Sequence, residues 1–348
     1  MVKKILVCIL IILLTMNLTA CGESKVSRYE SEFLVLFNTV TKIVAYTESK
    51  EEFTKHSEFI YNNLETYHEL YDIYNDYEGV NNLKTINDHA GLEPVKVDKK
   101  IIDLLLFAKN EYKKTDGKVN IAFGSVLRIW HEYRTAGTDD PENAKLPPME
   151  ELEKAKLHTD IEKVIIDEAQ STVFLEDPDM ALDVGAIGKG FAVEQVAQMA
   201  IEQGFTSGLI SVGGNIRAIG NKGQDKESWN VGIQNPDKDS EEPILKIMNL
   251  TDKSLVTSGD YERYYTVDGV NYHHIIDPKT LLPSEYFTAV TIICKDSGEA
   301  DALSTAVFNM PLDEGIALID SLPDTEALWI LNNGEIKYSA HFEELIKP

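Results

Sequence analysis

Asp301 and Thr305 stand four residues apart in the run Glu299-Ala-Asp-Ala-Leu-Ser-Thr-Ala-Val307, a spacing that puts both side chains on one edge of a helix, one turn apart. A carboxylate and a hydroxyl so placed can both ligate a hard cation such as Mg²⁺, which prefers oxygen. Leu303, Ala306, Val307 and Met310 gather on the opposite side. The same spacing also suits an ordinary solvent-facing edge. A second candidate is Asp183-Val-Gly-Ala-Ile-Gly-Lys-Gly190, which runs into a helical pattern carried by Ala192, Val196, Met199 and Ala200 and closed by Gly204. Glycines at 185, 188 and 190 let backbone approach a ligand at the helix start, where free N–H groups favour phosphate. Glycine-rich helix entrances are also common without a ligand. The spacing is neither the Rossmann G-x-G-x-x-G nor the P-loop G-x-x-x-x-G-K-S/T, which argues against an ordinary dinucleotide domain or NTPase.

Two further motifs could act with these. Ser211-Val-Gly-Gly-Asn215 lies between two short apolar stretches, where paired glycines make either a β-bulge, the simpler reading, or room for a ligand. His273-His-Ile-Ile-Asp-Pro278 ends a strand in an Asp-Pro turn. A histidine there can serve as a general base near neutral pH or simply pack, and the two adjacent rings point to opposite faces of the strand. No Ser-His-Asp or Cys-His grouping is evident.

Around these motifs the chain alternates between strand and helix patterns. Phe33 to Ala45 is β-branched and aromatic and predicts a strand pair. From Glu51, the spacing of Phe53, Ile60, Leu64, Tyr67, His68 and Tyr71 predicts a helix that breaks around Asn75 to Gly79. Asp98 to Thr115 predicts a second helix. Residues 131–148 are nearly devoid of apolar side chains and read as an exposed loop, with a charged helix from Pro148 through His158. Val164–Ile166 and Thr172–Leu175 form a hairpin pattern. Strands recur near 208–212, 216–219, 229–233, 254–257, 264–267, 272–276 and 289–293, interrupted by helices near 185–203 and 299–310. The fold class expected from this order is α+β with largely antiparallel strands.

Charge and the N-terminus bound the setting. The chain has 348 residues, 58 Asp+Glu against 33 Lys+Arg and a formal charge of -25, which repels phosphate backbones and excludes nonspecific nucleic-acid binding. Lys3 and Lys4 precede the apolar run Ile5 to Leu14, too short for a transmembrane span and laid out as a secretory signal. It ends in Leu18-Thr19-Ala20-Cys21, which resembles the lipobox of bacterial lipoproteins. The implied organisation is a signal at 1–20, a lipidated Cys21 and polar tether at 21–32, and one catalytic domain at 33–348. Cys8 would then leave with the signal, Cys21 would carry lipid, and Cys294 would be the only remaining thiol. The alternative is a cleaved signal with an incidental cysteine.

The Asp-x-x-x-Ile-Gly-Lys-Gly helix start, Ser-Val-Gly-Gly-Asn, Thr257-Ser258-Gly259-Asp260, His-Ile-Ile-Asp-Pro and Ala-Asp-Ala-Leu-Ser-Thr occur here in an order that resembles the ApbE family, FAD:protein FMN transferases that are often lipoproteins. The resemblance runs from about Phe33 to the C-terminal region. It implies an enzyme that cleaves FAD with Mg²⁺, releases AMP and joins FMN through a phosphoester to a threonine or serine of an exported protein. The implied metal ligands are Asp301, Thr305 and the backbone carbonyl of Ala186. Asp183, Lys189, His274 and Ile275 match flavin-contact positions, with Lys189 near the phosphates and His274 as base. Tyr74 matches an aromatic after the first long helix, Phe37 an early contact usually filled by Met, and Lys118, Val119 and Asn120 the segment after Asp-Gly. Phe37-Asn38-Thr39 departs from the family's Met-Gly-Thr, and Asn120 from its Asp. Localisation would be the outer face of the cytoplasmic membrane. The rival readings are a Mg²⁺-dependent FAD pyrophosphatase, in which water replaces the hydroxyl, and a flavin-binding lipoprotein without activity.

Overall fold

The computed structural model describes residues 26–223 and 227–348. The signal segment, Cys21 and the start of the tether lie outside them. Among the described residues no helix is long and apolar enough to cross a membrane.

An eight-stranded sheet forms the spine. In order across it run β1 (Ser27–Phe33), β2 (Thr41–Thr47), β6 (Gly208–Val212), β7 (Asn215–Ile219), β10 (Ser254–Gly259), β13 (Phe287–Cys294), β14 (Glu326–Leu331) and β15 (Ile336–Tyr338). Three small sheets complete the set: β3 (Val95–Lys96) with β5 (Thr172–Leu175) and β4 (Val164–Asp167), β8 (Trp229–Gln234) with β9 (Ile244–Leu250), and β11 (Tyr264–Val267) with β12 (Val270–His273). Every named pairing is antiparallel, so the α+β expectation holds in full. The helices are α1 (Lys50–Tyr71), α2 (Leu83–Asp88), α3 (Lys99–Lys114), α4 (Gly124–Asp139), α5 (Met149–Lys156), α6 (Gly188–Glu202), α7 (Ser297–Phe308) and α8 (Leu312–Asp320).

Both faces of the spine are covered, and the period-2 alternation of β13 shows how. Val290, Ile292 and Cys294 point into the main core beneath α1, α3, α6 and α7, whereas Ala289 and Ile293 point to the other face and pack with Trp229, Val231 and Met248 of β8 and β9. A third cluster joins Val126, Ile129 and Trp130 of α4 to Tyr265 and Ile276 around the β11–β12 hairpin. Cys294 is free and buried, donates to the Asp296 carbonyl at 3.1 Å, and has its thiol pushed far up by burial, so it packs rather than reacts.

Local chemistry sets the helix ends. Ser49 caps α1 by accepting the Glu52 N–H at 3.2 Å, and Asp98 caps α3 by accepting that of Lys100 at 2.8 Å. After α1, the Asp72 carboxylate accepts the N–H groups of Tyr74 (2.6 Å) and Asn75 (3.1 Å) and the Tyr77 hydroxyl (2.9 Å), which turns the chain sharply.

Three expectations are overturned. Residues 27–32 are not tether: Ser27–Phe33 is the edge strand of the main sheet, with Ser27 opposite Thr47 and Phe33 opposite Thr41, and Tyr29 stacks on Phe53 at 5.6 Å. Polar residues alternate with Tyr29 and Phe33 on a strand that is half wet, so composition alone hides it. Residues 131–139 are not loop but the second half of α4. The glycines of Ser211–Asn215 make no bulge; Gly213 (φ 55°) and Gly214 (φ 90°) form the tight turn between β6 and β7, with Val212 opposite Asn215.

Candidate functional site

One cavity of about 1000 Å³ opens between the main sheet, α4, α6, α7 and the β11–β12 hairpin, and its wall holds all the positions matched to the family's contacts and metal ligands: Phe37, Tyr74, Lys118, Val119, Asn120, Asp183, Ala186, Lys189, His274, Ile275, Asp301 and Thr305. That volume suits a ligand the size of a dinucleotide.

The Asp301 corner is built by close approach of α6 and α7. A Cβ on Gly190 would lie 2.3 Å from the Ser297 carbonyl oxygen and 2.4 Å from the Asp301 Cβ, so only glycine allows the contact. In a continued helix the Gly190 N–H would bond the Ala186 carbonyl; here it donates to Asp301 Oδ2 at 2.8 Å, which takes that partner away from Ala186. Asp301 is only 4% exposed, so its helix edge faces protein and cavity rather than solvent. Burial raises its carboxyl pKa, while Lys189, the Gly190 N–H and the Asn215 amide pull it back down. The Ser258 and Ser304 hydroxyls pair at 2.8 Å, and Ser304 Oγ donates to the Asp301 carbonyl at 2.9 Å. Behind the corner, Glu194 Oε2 accepts from Arg217 Nε at 3.0 Å and from the Ser297 N–H at 2.9 Å, tying α6, β7 and the start of α7 together. Asp301, Thr305 and the Ala186 carbonyl thus offer an all-oxygen donor set at one corner of the cavity. These residues fit a Mg²⁺-sized hard cation.

Another part of the wall comes from the β11–β12 hairpin. His274 follows β12, and the Arg263 carbonyl accepts both its backbone N–H (3.0 Å) and its ring Nδ1 (3.2 Å). A carbonyl can only accept, so Nδ1 carries the proton and Nε2 is left with a free lone pair. Burial, with Arg263 and Arg134 nearby, pushes the His274 pKa down to about 3, and the ring is neutral at physiological pH. His273 takes the other face as expected. Its Nε2 meets the Ser284 carbonyl at 2.8 Å and its Nδ1 accepts the Ile275 N–H at 3.2 Å, so both nitrogens serve packing.

The remaining positions divide by how free they are. Tyr74 is 55% exposed at the rim, its ring 5.2 Å from that of His131, open for an aromatic ligand to stack. Phe37 sits in the left-handed region (φ 54°), held by its N–H on His68 Nδ1 at 3.3 Å. Lys118 is paired with buried Asp277 at 3.0 Å, and Asn120 spends its side chain on Thr159 and Ala122, so both are tied into the frame. Val119 is buried, and Asp183 accepts the Gly185 N–H at 2.8 Å while burial raises its pKa.

The sequence reading missed His131, Arg134 and Arg263, which also line the cavity. The helical spacing of Val126, Ile129, Trp130 and Tyr133 was the available signal for the first two. Outside the cavity, His158, Asp177 and Asp179 draw together, but Lys163 Nζ already sits 3.1 Å from Asp177 and supplies the positive charge there.

The chain is similar to known proteins over most of its described length. The model of the ApbE family matches residues 37–329. The FAD:protein FMN transferase of Treponema pallidum (strain Nichols) is 35% identical over 278 residues, 76% of this chain and 75% of that protein. The protein of the same name from Klebsiella pneumoniae (strain 342) is 32% identical over 257 residues, 73% and 76% of the two chains. Among solved structures, the ApbE protein of Thermotoga maritima superimposes with a TM-score of 0.80 at 30% identity, covering 92% of this chain and 100% of that one. The flavin transferase ApbE of Vibrio cholerae shares the fold, with a TM-score of 0.75 at 24% identity over 92% and 99% of the chains.

Proposed function

The chain belongs to the ApbE family, and from that membership we propose that it is a flavin transferase that cleaves FAD, joins FMN by a phosphoester to a threonine or serine of an exported protein, and releases AMP. The observation that carries this reading is the joint placement of the Asp301 corner and His274, with its Nε2 free of other partners, in one cavity large enough for FAD.

Asp301, Thr305 and the Ala186 carbonyl would hold Mg²⁺, whose charge would neutralise the diphosphate and the leaving AMP. Lys189, beside that corner, adds a positive charge for the phosphates. Tyr74 at the rim would stack on the isoalloxazine, and Phe37 and Ile275 would close over it. His274 Nε2 takes the proton of the acceptor hydroxyl. The hydroxyl oxygen then bonds to the phosphorus on the flavin side, the bond from that phosphorus to the bridging oxygen breaks, and AMP departs with that oxygen. No nucleophilic side chain of this protein is needed, because the nucleophile arrives on the acceptor.

From the lipobox-like Leu18–Cys21 we propose that this activity sits at the outer face of the cytoplasmic membrane, with lipid on Cys21 as the anchor. Incubation with FAD, Mg²⁺ and an exported acceptor protein, followed by mass spectrometry, tests the reaction. An acceptor heavier by one FMN, with AMP released, is expected. Free FMN and an unmodified acceptor would instead make the protein a pyrophosphatase, and intact FAD would make it a flavin carrier.

A further inference from the structure

Arg134 and Arg263 are cations without carboxylate partners in a protein where acids outnumber bases 58 to 33. Among the described residues neither guanidinium makes a salt bridge, although Lys118 in the same cavity is paired with Asp277 and Arg217 in the core with Glu194. Asp183, whose Oδ1 accepts the Gly185 N–H, attracts Arg134 at longer range but forms no salt bridge with it. Arg134 is nonetheless a built feature. Its Nη2 donates to His131 Nδ1 at 3.0 Å, and the His131 ring lies against Tyr74. Three residues on, at Gly137, a Cβ would stand 2.6 Å from the Tyr265 ring, so the absent side chain lets α4 press its Arg134 face onto β11. Arg263 approaches from the hairpin itself, and its carbonyl is the group that orients His274. The two arginines thus reach the cavity that holds the imidazole from two different elements. Burial and Arg134 depress the His131 pKa, which keeps that ring a neutral acceptor rather than a third competing cation.

We infer that Arg134 and Arg263 form a clamp for the phosphoryl group on the flavin side of FAD, on the hairpin side of the cavity. The inference rests on the transferase reading and adds the group that would hold the phosphorus under attack. A base can accept the acceptor's proton only if the attacked phosphorus lies within a few ångströms of it, so an anion held beside His274 is that phosphoryl group. Guanidinium forks match the paired non-bridging oxygens of a phosphate and stay charged at any working pH. Charge that builds on those oxygens during transfer would be met by donors already in place.

The test compares riboflavin, which lacks the phosphate, with FMN, in EDTA so that no metal contributes. Affinities of wild type, Arg134→Gln, Arg263→Gln and the double variant are read from the quenching of flavin fluorescence. Each single variant should weaken FMN about 10-fold or more. Riboflavin affinity should stay within a factor of about two, which also reports that the pocket is folded. FMN affinity unchanged in the double variant overturns the clamp, and so does an equal loss for riboflavin. Unchanged FMN affinity with a raised KM for the acceptor protein would overturn it in favour of acceptor binding. A wild type that binds neither flavin would overturn the transferase reading itself, a result distinct from the others.

Discussion

The two walls of the cavity are made in different ways. The Asp301 corner consists of two contiguous helix starts pressed together, with Gly190, Ser297 and the Glu194–Arg217 pair buried beneath it. The hairpin wall gathers His131 and Arg134 from α4, Arg263 from one side of a hairpin and His274 from the other. The first is rigid because helices are in contact along their length. The second is assembled from separate elements packed on a small cluster around Trp130 and Tyr265, and among the described residues its two arginines make no salt bridge. One wall is suited to fixing a small hard cation and the other to gripping and releasing an anion and an incoming hydroxyl.

Removing the corner's carboxylate should produce the largest effect. Asp301→Asn replaces a charged ligand with a neutral one of equal size, so Mg²⁺ affinity in the presence of FAD should fall and transfer should drop by on the order of 10⁴-fold or more. Riboflavin binding on the other wall should persist. Calorimetry with unchanged Mg²⁺ affinity would show that the cation sits elsewhere.

On the hairpin wall the same operation should cost less. His274→Ala should slow transfer by about 10²–10⁴ while FAD binding survives. His273→Ala should instead lower Tm, because both of its ring nitrogens are spent on Ser284 and Ile275. Equal rates for both variants and wild type across several pH values would remove histidine from the chemistry and redirect attention to the metal corner.

The contrast also explains what was legible in the sequence. Asp301 and Thr305 come from one run, 299–307, whose spacing already placed them on a helix edge, while Ala186 entered through the family resemblance. His131 and Arg134 lie in a stretch so polar that it reads as loop. The helix persists there because it is held on one side, by Trp130 against the hairpin cluster and by Gly137 against Tyr265, a tertiary effect that composition does not encode. Arg263 was invisible for another reason, since nothing local distinguishes a cation that will lack a partner from one that will have one. At the C-terminus, β14 and β15 flank Asn333-Gly334, a hairpin turn signal that was present and passed over.

Gly190→Ala asks how much of the corner's rigidity is packing. The added methyl must displace the Ser297 carbonyl and the Asp301 side chain, so a loss of about 1–3 kcal/mol is expected, read as a Tm lower by several degrees. Mg²⁺ affinity should fall with it, because the displaced Asp301 is a ligand. A variant with normal Tm but weakened Mg²⁺ would place the glycine's role in the loop rather than in the helix contact.

The smallest effect is expected at Asp260, where the two walls meet: β10, which carries Ser258 against α7, ends at Gly259, and β11 of the hairpin begins at Tyr264. Burial raises its carboxyl from 3.8 to about 6, against the pull of its own backbone N–H. A carboxyl raised on folding favours the native state while it is protonated, so its contribution is fully present below about pH 4 and is lost as pH climbs through about 6. Asp260→Asn removes the titration and keeps the shape. Variant and wild type should therefore melt together at pH 4, and the variant should melt higher at pH 7.5, by on the order of 2 °C once solvent screening of this half-buried group is allowed for. A difference independent of pH would mean that Asp260 is ionised throughout and compensated by a cation, and that the junction between the rigid wall and the hairpin is electrostatically tied rather than strained.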